Sequence, residues 1–366
     1  MSKYINSMMQ ISAASVVMMS AVFAEQATTS PTSSAQCVPM AMCSSYPMLK
    51  NGCDVHMDIG YLLEQFVLTG TDFAYTLANG GFIDTGEQTF PVSSNILRPK
   101  FNVASGLTAE LGYYFHHDNW FLNSKFDWVS RKGHKSFSAV GTEQVVPFST
   151  YTTNLLGGND VLGFAYAKDN LKVSYYDLQI DLNRGTYVTK SLSLEPHTGL
   201  KAAWIYYTDN QTFASSSDLS AAAKILQQEN TTSFWGLGPD FGLNSMWCFG
   251  SGFSMYCDTT VALLCGGANA KFEAKYNESE TYEVYASERP IVFTPTARAV
   301  LGFQYNSSMY DESQNVRVRV GLDTAYYWNQ FQHVANTASY TGQLLSLADQ
   351  GSFAMIGLIV ELGWDF

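Results

Sequence analysis

Long hydrophobic runs are what this sequence most conspicuously lacks. Beyond residue 24, no stretch reaches the roughly 18 consecutive apolar residues of a membrane-spanning helix, which excludes a helical membrane bundle. Charge is also scarce, at 14% of the 366 residues, and the mean hydropathy is only -0.06. Recognisable catalytic motifs are missing. There is no HExxH, no Walker loop and no GxSxG. Gly236-x-Gly238 lies inside a strand pattern with no helix after it, so it is no nucleotide loop. The one close histidine pair, His116-His117, reads as a solvated turn. No enzyme and no cofactor are expected. Zinc-ribbon CxxC spacing is absent too, so the six cysteines point to disulfides rather than metal. Basic residues number 20 against 32 acidic ones, which argues against nucleic-acid partners.

What the sequence has is aromatic side chains, 14% of the total, and alternation. Its first residues carry Lys3 and then a short apolar stretch, Ile11 to Ala24, ending Val22-Phe23-Ala24. That pattern predicts a signal peptide over residues 1–24, cleaved after Ala24. Loss of Lys3 leaves 19 basic against 32 acidic residues, a balance of -13. Residues 25–54, rich in Ser, Thr, Pro and Ala in their first half, read as an extended periplasmic segment.

From residue 55 the pattern turns to strict alternation, the mark of strands with two unlike faces. It is clearest at the C-terminus. Ile356, Leu358, Val360, Leu362, Trp364 and Phe366 occupy every second place, with Gly357, Glu361, Gly363 and Asp365 between them. Upstream, Leu107, Ala109, Leu111, Tyr113 and Phe115 stand opposite Thr108, Glu110 and Gly112, and Val316, Val318, Val320 and Leu322 stand opposite Arg317, Arg319 and Asp323. Charges keep to one parity, as the cost of a charge against lipid demands. Trp and Tyr gather near strand ends, where a barrel carries its interfacial girdles. The fold predicted is therefore all-β: residues 55–366 as a transmembrane antiparallel up-and-down barrel of about ten strands, with 10–16 allowed because long loops can hide hairpins. Connections alternate long and short, putting both termini on the periplasmic side. Ser217 to Gln228, rich in helix formers behind a capping Ser or Asp, predicts a short surface helix.

Parity assigns Glu110, Lys125, Asp127, Asp177, Asp181, Glu195, Lys201, Arg298, Arg317, Arg319, Asp323 and Glu361 to the lumen. They would line a pore, or pair off and plug it. Arg298, Arg317 and Arg319 form the densest basic cluster and are expected to face acids across the lumen. Topology places Cys53, Cys248 and Cys257 towards the periplasmic end, near the segment with Cys37 and Cys43, and Cys265 towards the opposite rim. Disulfides within or between copies are expected among the first five, with Cys257 alternatively unpaired against lipid.

Several stretches resemble the pore-forming major outer membrane proteins of the Legionella type, a family found also in chlamydia-like bacteria. They are Leu107-Thr-Ala-Glu-Leu-Gly-Tyr-Tyr with Asp118-Asn-Trp-Phe-Leu, Ser191 to Ile205, Phe234-Trp-Gly-Leu-Gly-Pro-Asp-Phe-Gly-Leu, Gly252-Phe-Ser and Trp328-Asn-Gln-Phe331. The resemblance runs from about Asp58 to Phe366. It implies a bacterial outer-membrane location and diffusion of small hydrophilic solutes or ions through the barrel. It also implies cysteine cross-linking of copies into a resistant sheet in some members. Leu358, Val360, Leu362, Trp364 and Phe366 resemble the assembly signal read by the outer-membrane insertion machinery. The other reading of the long loops is a surface adhesin carried on a plugged barrel.

Overall fold

The computed structural model describes residues 55–77, 82–84, 89–91, 94–115, 120–140, 143–147, 163–216, 225–277, 281–288, 291–309, 314–338 and 344–366. The expected leader, the segment 25–54 with Cys37, Cys43 and Cys53, and the turn 116–119 lie outside them.

The chain is all-β. Ten long strands follow one another around a closed antiparallel barrel: β1 (Val55–Leu68), β2 (Ala104–Tyr114), β3 (Trp120–Ser138), β4 (Tyr166–Arg184), β5 (Leu192–Ala214), β6 (Ile225–Gly250), β7 (Phe253–Asn277), β8 (Ile291–Met309), β9 (Gln314–Ala338) and β10 (Leu344–Asp365). Each pairs with its neighbours in sequence, and β10 returns to pair with β1, from His56 opposite Asp365 to Leu68 opposite Phe353. The even number makes that last pairing antiparallel, so no strand of the ring is an edge strand. Phe366 completes the seam, its backbone exchanging hydrogen bonds with Val55.

Register turns alternation into two surfaces. Across β9, β10 and β1, the rows Val318–Leu362–Ile59 and Leu322–Leu358–Leu63 face outwards. Ile59, Leu362 and Leu322 are each more than half exposed, as lipid-facing side chains are without their lipid. On the inner side, the rows Arg317–Gly363–Asp58 and Arg319–Glu361–Gly60 set charge beside glycine.

The strands are longer than the sequence pattern alone marks. β5, β6, β7, β9 and β10 run 22 to 26 residues, whereas roughly 9–11 suffice to cross a bilayer. The excess stands at the extracellular ends, where neighbouring strands continue to satisfy each other's backbone groups after lipid has stopped enforcing alternation. The expected helix over Ser217 to Gln228 is corrected for the same reason. Ile225 to Gln228 are strand, paired with Gln211 to Ala214, and 217–224 lie outside the described residues. A waiting strand edge overrides local helix propensity.

The extracellular loops supply a small three-stranded sheet, Ser94–Leu97, Ala74–Leu77 and Gln144–Pro147. Its neighbourhood contributes Phe73, Leu97, Val145 and Phe164 to an apolar cluster with Ala167, Phe213 and Leu226, the inward-facing residues at the tops of β4, β5 and β6. The loop sheet thus packs against the inner wall at the tops of β4, β5 and β6.

Candidate functional site

All twelve predicted lumenal residues point into the barrel, on the parity opposite the exposed hydrophobes. They are stacked in layers. At the periplasmic end, Arg317 on β9 donates to Asp58 on β1 at 2.8 and 3.0 Å and to His56 at 2.8 Å. His56 Nδ1 in turn lies 2.6 Å from Asp365, and its Nε2 lies 3.6 Å from Glu110. Gly363 lies between Asp58 and Arg317 in register, and a Cβ there would fall 1.9 Å from Asp58 Oδ1. Any larger residue would break the pair. His56, Asp58 and Glu110 hold ligand atoms within 4.8 Å of one another, and two of the three, His56 and Asp58, already take a hydrogen bond from Arg317.

One layer higher, Lys125 on β3 reaches Glu361 on β10 at 3.2 Å and Glu110 at 3.8 Å. Arg319 pairs with Glu361 at 3.5 Å and with Asp258, and its guanidinium lies 3.8 Å over the Tyr256 ring, within cation–π range.

Above that come two contacts that cross the whole barrel. Arg298 on β8 bonds Asp323 on the adjacent β9 at 2.5 and 3.0 Å, and with its other nitrogen Asp127 on β3. β8 and β3 are five strands apart in a ring of ten, so this bond runs along a diameter. The next layer repeats the arrangement. Tyr175 on β4 and Tyr327 on β9, also five strands apart, share a hydrogen bond of 2.7 Å. Tyr175 donates its one hydroxyl hydrogen to Asp177 at 2.6 Å and accepts from Tyr327, whose hydroxyl oxygen lies 3.1 Å from the same carboxylate, and Lys201 caps that carboxylate at 2.6 Å. Tyr207 and Phe353 pack alongside, the former donating to Gln330 at 2.5 Å. Side chains from opposite walls therefore meet in the middle.

The remaining candidates, Asp181 and Glu195, sit on the β4–β5 wall. Asp181 is next to Asp240 of β6, with Gly199 of β5 opposite both. A Cβ on Gly199 would fall 2.4 Å from Asp181 Oδ1, so glycine makes the room that the carboxyl groups on either side of it need. Asp240 is fully buried and neither of its oxygens has a partner. Replacing one member by an amide supplies the missing donor. Asp240→Asn is expected to stabilise the barrel by about 1 kcal/mol, read as a higher unfolding midpoint in urea; a lower midpoint would show that the dicarboxyl pair is the better arrangement.

The residues missed from sequence are Asp58, His56, Tyr175 and Tyr327. Parity places Asp58 inside. The same parity places Tyr175 and Tyr327 inside, but nothing in a linear pattern marks the two as partners across the lumen. Among the cysteines, Cys248 is disulfide-bonded, whereas Cys257 and Cys265 carry free thiols on the outward parity of β7.

The profile of the Legionella pneumophila major outer membrane protein precursor family matches residues 45–366. The chain belongs to this family. It is accordingly an outer-membrane protein, which agrees with the closed barrel and its apolar outer face. No curated protein matches the sequence. Among solved structures, the outer membrane protease OmpT from Escherichia coli is similar at 9% identity and a TM-score of 0.40, over 86% of this chain and 96% of that one. The CymD monoaromatic hydrocarbon channel is similar at 10% identity and 0.32, over 86% and 88%. A major outer membrane protein from Thermus thermophilus is similar at 9% and 0.32, over 86% and 99%.

Proposed function

We propose that this protein works chiefly at the cell surface, as a sealed outer-membrane barrel that holds its extracellular strands and loops in place for binding. The observation that carries this reading is the pair of bonds spanning the full diameter, Arg298 to Asp127 and Tyr175 to Tyr327. A ten-strand wall encloses little more than its own side chains, and here they bond across the centre. The strand lengths support the same reading, because about half of the wall in β5, β6, β7 and β9 exceeds what the bilayer needs.

Diffusion of small hydrophilic solutes is the second reading. One observation favours it: the seal consists of individual polar side chains on the wall, so that a few rotations would open a path lined by charge. Planar-bilayer recording separates the two. A sealed anchor gives no steady channels at moderate voltage, while a constitutive pore gives uniform steps at once and overturns the first reading. Cross-linking of copies through cysteines of the N-terminal segment, Cys37, Cys43 or Cys53, is compatible with either. Export by the leader and insertion through the C-terminal signal belong to both.

A further inference from the structure

The outer face of β3 and β4 changes character abruptly going outwards from the membrane. The row Trp128–Tyr176–Trp204 across β3, β4 and β5 is an aromatic girdle segment. Below it lies the apolar row Phe126–Leu178–Ala202. Above it comes a hydroxyl pair, Ser130 with Ser174, bonded at 2.9 Å. The next row sets Lys132 directly opposite Lys172. Both are exposed and on the outward parity. Lys168 stands on the same face of β4 two rows further out, and Lys100 joins the patch by a backbone bridge to His134 on β3. Among the described residues, none of these lysines has an ion-pair partner. Above Trp128 the outward positions of β3, β4 and β5 carry no acidic residue.

Two features make this patch unlike a solvated charge run. Like charges directly opposite on paired strands repel and destabilise the pair unless something neutralises them. The protein is acidic overall, so basic residues gathered on one strip run against its composition. The height is informative too. Lys132 is four residues beyond Trp128, roughly 10 Å further along a tilted strand, where girdle side chains give way to headgroups. Basic clusters at that depth attract anionic lipid headgroups.

We propose that Lys132 and Lys172, with Lys168 and Lys100 flanking them, bind a phosphate of a glycolipid headgroup in the outer leaflet. The phosphate would sit between the two ammonium groups and cancel their repulsion, while the acyl chains run down over the aromatic row and the apolar band. The hydroxyl pair Ser130 and Ser174 would border the sugar.

The test uses the detergent-purified barrel and two probes, diphosphorylated lipid A and the same lipid with its phosphates removed, with bound lipid counted by native mass spectrometry. The wild type is expected to retain the phosphorylated lipid about ten-fold better. Lys132→Gln with Lys172→Gln should lose that preference, and Lys132→Arg with Lys172→Arg should keep it. Folding of each variant is checked by the gel shift between heated and unheated samples, and exposed outward positions tolerate these changes. Equal retention of the two lipids by the wild type overturns the proposal, as does an unchanged preference in the glutamine variant. Complete displacement of lipid by millimolar inorganic phosphate also overturns it, because that would mark a simple ion site.

Discussion

Arg298→Met is expected to lower the unfolding free energy of the vesicle-reconstituted barrel by roughly 3–5 kcal/mol. Arg298 is the only cation bonded to both Asp127 and Asp323 among the described residues. It is about nine-tenths buried, and both acids are more so. Glu64 lies in the same layer, almost wholly buried, with neither oxygen bonded. Methionine keeps most of the volume but removes every donor, leaving three acidic side chains in a space closed to water. Breaking a buried pair from one side costs far more than the pair itself is worth, because the remaining charge has no solvent to turn to. Adding Asp127→Asn should recover part of the loss. A drop of less than about 1 kcal/mol in urea titration would mean that water reaches this layer and that the lumen is wetter than its packing indicates.

Tyr175→Ala together with Tyr327→Ala should convert a closed barrel into a leaky one. The two rings meet across the diameter, fully buried, and with Phe353 and Tyr207 they form the aromatic layer of the lumen. Removing both takes out the direct bond and the tyrosine hydrogen bond to Asp177, leaving that carboxylate paired with Lys201 and facing new space. Such a space is large and polar enough to take water. The expected result is an increase of about ten-fold in ion leak from loaded vesicles. Truncating buried aromatics costs about 3–5 kcal/mol each, so the variant must still show the folded gel mobility. A folded variant with unchanged leak would place the seal in the layers on either side, at Arg298 or under the loop sheet, and would remove the tyrosines from it.

These two experiments concern the part of the molecule that linear pattern could not reach. Parity assigned Arg298 and Asp127 to the same interior, and both are there. That they bond to each other follows from ring closure, which brings β3 and β8 face to face although 170 residues of chain separate the two side chains. Tyr327 shares the parity of Asp323, which turns it inwards between the outward Tyr326 and Trp328. That it meets Tyr175 follows only from the same ring closure, which sets β4 opposite β9. The helix expected before Gln228 failed because propensity is local, whereas the edge of β5 that captured Ile225 to Gln228 is a tertiary feature.

The amino-acid order alone determined the architecture: period-two alternation with charge confined to one parity has a single low-energy solution at a bilayer, a closed barrel with its apolar face to lipid. It also determined which side chains point inwards, since a strand has only two faces. Tertiary structure alone decided what those inward groups do. Whether a lumen is open or filled depends on which walls face each other and at what distance, and that is set by strand number and stagger rather than by any local stretch of chain.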